Sequence, residues 1–377
     1  MTSASSLKFS KPSTRNGSPS GPRTEAFEKA FAKVAGTADA VAVSNGTAAL
    51  FLALKAIGIG PGDEVLVPSM TFVATAAAVI HCGARPVFVD IATLENPTMC
   101  PADAARKITP RTKAMLPVHY AGIPADMDRL CDLAASHRIR VIEDAAHAPG
   151  ALFRQKPCGS FGVAGCFSFF GNKNITTAEG GMITTGDEDL ARRLRLLRSH
   201  GMTASSWDRE NGRAAQYDVL EIGFNFRFDD IRAAIGLVQL AKLDVFNQER
   251  ATLIDRYNYR FEKAALDVIL PFAAIPESKA PSYHIYPIVL PTADIRDMVA
   301  ERLKIEGIQT SIHYPAIHRF SVFKRRGEQV NLPFTEAFAS RELTLPLYPS
   351  LPAAIVDQIV AVVGAALATK PPTQTRT

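Results

Sequence analysis

Seven short apolar runs, each closed by turn residues and most followed by a helical stretch, restrict this chain more than any other feature of its sequence. The runs cover 42–43, 64–67, 86–89, 114–118, 141–142, 166–170 and 182–184. Helical periodicity covers 24–35, 47–56, 73–82, 126–137 and 188–199. Several runs carry no polar alternation, as expected of strands buried on both faces. Strand–helix alternation of this kind predicts an α/β fold with a mostly parallel sheet covered by helices on both sides.

The pattern changes further on. A long helical stretch runs from Asp230 to about Lys263. A strand over 284–290, a helix over 295–306, a strand over 308–313 and a helix over 355–368 follow. These predict a smaller α+β unit. The chain of 377 residues is long enough for two domains. The expected division is a polar arm over 1–22, a large domain over 23–250 and a small domain over 251–377.

Composition removes several classes. Hydrophobic residues at 47% and charged residues at 21% describe an ordinary globular core and surface. A net charge of +5 spread along the chain gives no footprint for nucleic acid. No stretch reads as a membrane span or a secretory signal, so neither membrane nor nucleic acid is an expected partner. The five cysteines form no CxxC pair and read as free thiols, which suits the cytoplasm. The basic run Arg192, Arg193, Arg195 and Arg198 reads as a solvated or interfacial helix face.

Open α/β sheets bind ligands beyond the carboxyl ends of their strands. Three polar groups stand there. Ser44-Asn45-Gly46-Thr47 opens a helix, where unpaired N–H groups and the helix dipole favour an anion such as phosphate. Asp144 ends the apolar strand 140–144 and needs a cationic or N–H partner, which a protonated pyridine would supply. Lys173 follows the run 166–170 among Gly and small polar residues, where partial burial would expose the nucleophilic amine. Each has a plainer reading alone: a helix cap, a turn-capping aspartate, a solvated lysine. Together an anion cradle, an acid for a pyridinium and a lysine for a Schiff base are the marks of pyridoxal 5'-phosphate binding. A nicotinamide-dependent dehydrogenase, the other class this sheet can host, is disfavoured because the glycines of GIGPG lack GxGxxG spacing.

From about residue 25 onward the chain resembles the DegT/DnrJ/EryC1/StrS family. The resemblance rests on AVSNGTAAL (42–50), GDEVLVPSMTFVAT (62–75), PVFVDI (86–91), PVHYAGIPADMD (117–128), VIEDAAHAPGA (141–151), CFSFFGNKNITTAEGGMITT (166–185), GFNFRFDDIRAAIGLVQL (223–240) and SIHYPAIH (311–318). It implies the type I aminotransferase fold and a pyridoxal-phosphate-dependent transfer of an amino group, with L-glutamate as donor, to a keto-sugar on a nucleotide. It further implies roles residue by residue. Lys173 matches the Schiff-base lysine and Asp144 the pyridinium partner. His147 matches the partner of the cofactor's phenolic oxygen, and Phe72 the stacking ring. Gly46, Thr47 and Ser168 match phosphate binders. Asn225 matches a phosphate ligand given by the neighbouring subunit of a homodimer, with Arg227 close by for substrate anions. His313 and Tyr314 match a region facing the sugar.

Alone, Phe72 reads as core packing, and His313 and His318 as surface histidines without the further ligand a metal would need. Relatives that are dehydratases carry histidine in place of the lysine, which Lys173 argues against. A non-catalytic binding relative is the other alternative, favoured only by a short, polar segment ahead of residue 25. Ala178 stands where the family more often has Gly, a position that would be strained if it requires positive φ.

Overall fold

The structure is a computed structural model that describes residues 21–203, 216–324 and 330–369. The expected arm over 1–22 lies almost wholly outside the described residues.

Seven strands form the main sheet: β1 (Asp39–Val43), β2 (Glu64–Pro68), β3 (Arg85–Val89), β4 (Thr112–Met115), β5 (Arg140–Asp144), β8 (Ala164–Ser168) and β9 (Gly181–Thr185). Between β5 and β8 the short strands β6 (Leu152–Phe153) and β7 (Lys156–Pro157) make a side ribbon with β10 (Lys279–Ala280). The main order is β1-β9-β8-β5-β4-β2-β3. Pairings from β3 across to β8 are parallel, while β9 runs against both its neighbours. The expectation of a mostly parallel sheet in an α/β fold is met, with β9 as the reversed strand. Residues such as Val41, Val65, Val67, Ala114 and Ile142 are fully buried, because helices cover both faces.

Helices α1 (Pro22–Ala35), α2 (Gly46–Ala56), α3 (Ala74–His81), α4 (Pro101–Lys107), α5 (Met127–His137) and α6 (Glu188–Arg198) belong to this layer arrangement. Helix α2 is apolar almost throughout and lies under the sheet, with Leu52, Ala53 and Leu54 inaccessible to water. Helix α1 is fixed at its first turn by Asp230, whose carboxylate accepts the Thr24 N–H at 2.9 Å and the Thr24 hydroxyl at 2.8 Å.

The single long helix expected over 230–263 is two helices, α7 (Asp230–Leu240) and α8 (Leu243–Lys263). No residue between them is a helix breaker. Packing divides them instead. Gly236 of α7 lies so close to α1 that a β-carbon there would stand 2.7 Å from the Phe27 ring. Helix α8 turns its buried Leu253, Ile254, Tyr257 and Phe261 into a different core.

That second core joins β11 (Tyr286–Val289) and β12 (Glu342–Leu345), an antiparallel pair, to α9 (Ala293–Ile305), α11 (Pro333–Arg341) and α12 (Ala353–Ala368). A single turn, α10 (Ser321–Lys324), precedes α11. The expected strand over 308–313 is reduced to one bridge between Ser311 and Thr344. The next N–H that could extend it, that of His313, is taken at 2.9 Å by the Glu342 carboxylate. A side chain has replaced the ladder.

Candidate active site at the strand ends

The C-terminal ends of β1, β2, β5 and β8 open onto one cavity of about 890 Å³. Gly46, Thr47, Phe72, Asp144, His147, Ser168, Lys173, His313 and Tyr314 all line it. Nine of the eleven residues singled out from the sequence therefore meet in one place.

One end is the first turn of α2. Asn45 caps it, accepting the Ala48 N–H at 2.8 Å, and the Asn45 carbonyl accepts that of Ala49. The N–H groups of Gly46 and Thr47 have no acceptor among the described residues. Gly46 also packs against the end of β8: a β-carbon there would stand 2.9 Å from Cβ of Ser168. The missing side chain lets two free N–H groups and the Ser168 hydroxyl share one spot, an arrangement suited to a phosphate.

Asp144 lies deeper and is 5% exposed. Its Oδ2 accepts the Thr75 hydroxyl at 2.7 Å and its Oδ1 the Ala146 N–H at 3.2 Å. Burial raises its pKa, while these two donors and the Lys173 charge pull the other way. Burial pulls the Lys173 amine down to about 8, opposed by the Asp144 carboxylate. No side chain among the described residues pairs with either group as an ion bridge. A buried carboxylate held by neutral donors only is incomplete without a cation, and a protonated pyridine nitrogen fits that need.

Above these groups stands a set of rings. Phe72 is 55% exposed, with its centroid 5.8 Å from that of Tyr314. The exposure overturns the core-packing alternative and suits a ring offered to a flat ligand. The Tyr314 hydroxyl meets His147 Nε2 at 3.0 Å, and His147 Nδ1 accepts the Ala121 N–H at 3.3 Å. An imidazole nitrogen that accepts carries no proton, so the proton of neutral His147 is on Nε2. Burial and the Lys173 charge hold His147 well below the usual histidine range. The same causes bring His313 down to about 4.

Asn225 and Arg227 are not at this cavity. Asn225 is exposed, in a single bridge to Ser199, and Arg227 reaches the Ser199 hydroxyl at 3.4 Å. Their neighbours Phe224 and Phe226 line the pocket instead. Two further expectations are corrected. His318 is not a surface histidine: it is 3% exposed, bonded to Ser69 at 2.6 Å and to Glu336 at 3.0 Å. Arg198 is not on a solvated face: it is fully buried and pairs with Glu28 at 2.6 Å. Ala178 does adopt positive φ, at 65°, the strained geometry that Gly would relieve. Thr75 and Glu342, which contact Asp144 and the His313 N–H, are not among the residues that the sequence singles out. Thr75 sits in the first turn of α3 (Ala74–His81), three residues beyond the Phe72 of the TF pair, and that spacing is the available signal.

A family model, the DegT/DnrJ/EryC1/StrS aminotransferase family, matches residues 12–364. Among solved structures, DesV of S. venezuelae is 36% identical, with a TM-score of 0.83 over 93% of this chain and 90% of that one. The aminotransferase TlmJ of Streptoalloteichus hindustanus is 34% identical, with a TM-score of 0.85 over 93% and 92%. The sugar aminotransferase Spr1654 of Streptococcus pneumoniae, solved in PLP and PMP forms, is 30% identical with a TM-score of 0.87 over 94% of both chains for the latter form. By its sequence over nearly its whole length, and by a fold shared with these enzymes, the chain belongs to the DegT/DnrJ/EryC1/StrS aminotransferase family.

Proposed function

We propose that this aminotransferase uses pyridoxal 5'-phosphate to move the amino group of L-glutamate onto a keto-sugar carried by a nucleotide. The observation that carries the reading is the meeting of Lys173, Asp144 and the open first turn of α2 in one cavity. When bound, pyridoxal phosphate supplies a carbonyl that takes up the amine and a ring that accepts the electron pair released at the donor carbon.

The chain's residues do the rest. The N–H groups of Gly46 and Thr47 and the Ser168 hydroxyl hold the phosphate. Phe72 covers one face of the ring. Asp144, kept in place by Thr75 and the Ala146 N–H, holds a proton on the pyridine nitrogen. His147 presents its Nε2–H toward the phenolic oxygen. The Lys173 amine, neutral in a useful fraction because its pKa is about 8, takes a proton from the donor carbon and returns it one position away. His313 and Tyr314 form the wall against which the sugar lies. Asn225, exposed and away from its own cavity, reaches the phosphate of a second subunit, with Arg227 beside it for the nucleotide's charge. The assembly is then a two-fold homodimer with shared sites. The five cysteines are unpaired, in keeping with a cytoplasmic enzyme.

The test is incubation with L-glutamate and a panel of nucleotide-linked 3-keto and 4-keto sugars, with product mass and 2-oxoglutarate release as readouts. Wild-type protein is expected to give an amino sugar from at least one, and Lys173→Ala from none. Full turnover by Lys173→Ala would remove the reading.

A further inference from the structure

Behind Lys173 and His147 lies a buried polar network whose direction is fixed by two backbone carbonyls. Asn247 donates from Nδ2 to the Pro149 carbonyl at 3.0 Å, so its Oδ1 faces the other way. Asn174, the residue after Lys173, donates from Nδ2 to that Oδ1 at 2.8 Å and to the Ser282 carbonyl at 2.6 Å. Its own Oδ1 therefore faces His284 Nδ1, at 2.9 Å. An amide oxygen only accepts. His284 must carry its proton on Nδ1, and the Nε2 of the neutral ring is a bare lone pair, buried without a partner among the described residues.

The same segment grips the histidine of the site. The Ser282 hydroxyl donates to the His147 carbonyl at 2.7 Å, and the His284 ring lies 4.2 Å from the His147 ring at 41°. The His284 backbone is held in turn by Arg250, which donates to its carbonyl at 3.1 Å. Asn174 and His284 are each 3% exposed. The loop that carries the amine, after β8, and the loop that carries the imidazole, after β5, are thus tied to one another through a third segment 110 residues away from Asn174 in sequence.

We propose that Asn174 and His284 are positioning residues: they set Lys173 and His147 in register, and they keep an uncharged imidazole, of one tautomer, packed at a tilt behind His147. Neither touches the reacting atoms. A neutral ring there leaves His147 free to remain neutral with its proton on Nε2. It also adds no cation beside Lys173. Burial and the neighbouring His147, Lys173, Arg250 and His313 all hold His284 below the usual histidine range, in agreement with the hydrogen-bond geometry.

This inference rests on the aminotransferase reading for its consequence, and on the ligand-free protein for its first test. Long-range nitrogen–proton correlation spectra of isotope-labelled histidine, in wild-type protein without cofactor, are expected to show His284 protonated on Nδ1 and uncharged across about pH 5–8. A proton on Nε2, or a titration inside that window, overturns the proposal. In turnover, Asn174→Ala is expected to lower kcat about tenfold to hundredfold while KM for either substrate changes by less than about threefold, the mark of misplaced groups and not of lost binding. His284→Phe, which keeps an aromatic ring against His147 and loses the Nδ1–H, is expected to shift kcat the same way by a smaller factor. If both variants keep kcat within about twofold of wild type, the proposal falls. A protein with the expected tautomer but no glutamate-dependent turnover would sink the aminotransferase reading and leave the network standing.

Discussion

Thr75 donates its hydroxyl to Asp144 at 2.7 Å, and that contact sets what the buried carboxylate can do. Thr71 lies 2.7 Å behind Thr75, hydroxyl to hydroxyl, so the Thr75 proton is free to point at Asp144. Each oxygen of Asp144 then has one neutral donor, and the charge remains for a ring cation. Asp144→Asn keeps the shape and loses the charge. It is expected to lower kcat by about a hundredfold or more, through loss of a preorganised anion at a developing charge. Thr75→Val should lower it less, about tenfold, by turning the carboxylate loose. Steady-state kinetics under saturating donor checks both. An Asp144→Asn enzyme with wild-type kcat would contradict the assignment.

Lys173 is held at about 8, below the ordinary value of 10.5, so its ammonium form is disfavoured in the folded protein. Between pH 8 and 10.5 the unfolded chain binds the proton and the folded one does not. Stability therefore rises with pH through that window. Below pH 8 the full penalty, about 3 kcal/mol, is present. Lys173→Met removes it. Chemical denaturation of the cofactor-free variant at pH 7 is expected to show a gain of up to about 3 kcal/mol over wild type, shrinking above pH 8. A loss of stability at pH 7 would mean that the amine is paired in a way the structure does not show.

Glu342 presents the opposite sign. Burial raises its carboxyl to about 8, despite the His313 N–H and the Thr344 hydroxyl that favour the charged form. Between the ordinary 4.5 and about 8 the folded protein holds a proton that the unfolded chain has lost, so stability falls as pH rises through that range. Glu342→Gln keeps an acceptor for the His313 N–H and removes the titration. Wild type and variant should have similar Tm at pH 5. At pH 8 the variant should be the more stable by about 4 kcal/mol, and above it by about 5 kcal/mol. Parallel pH profiles for the two proteins would count against a buried neutral acid.

The legible part of the site was the part that lies at strand ends. Gly46, Asp144 and Lys173 each stand within three residues of the end of an apolar run, so the rule that ligands sit beyond the carboxyl ends of strands finds them. Arg198 could have been placed as well. It stands four residues after Leu194 and eight after Leu190, both buried, and so on the inner stripe of α6. The charge run concealed that spacing. Asn174 and His284 leave no local mark, nor does the contact of Glu342 with the His313 N–H, because these partners lie far apart in sequence and only the folded chain brings them together. The division between α7 and α8 is of the same kind. Its residues favour helix, and the contacts of Gly236 with Phe27 and of Tyr257 with the second core break it.

Helix α7 has apolar residues on two sides. Ala233 and Gly236 face inward, while Ile231, Ile235 and Val238, spaced four and three apart, are 78%, 44% and 57% exposed. Val245 at the start of α8 continues the stripe at 58%. An apolar stripe of that size on a helix already packed on its other side calls for a cover. Asn225, a few residues before it, is exposed and away from the cavity of its own chain. A second copy on this face would satisfy both. Light scattering is expected to give twice the 40.7 kDa chain mass, and Ile235→Glu to shift it toward once. Subunit mixing tests the shared site directly. Asn225→Ala and Lys173→Ala are each expected to be inactive or nearly so. In their equimolar mixture half the molecules are hybrids, and each hybrid rebuilds one of its two sites, with Lys173 from one subunit and Asn225 from the other. Activity should recover to about a quarter of wild type. No recovery, in a mixture shown to have exchanged subunits, would mean that Asn225 serves its own chain or none.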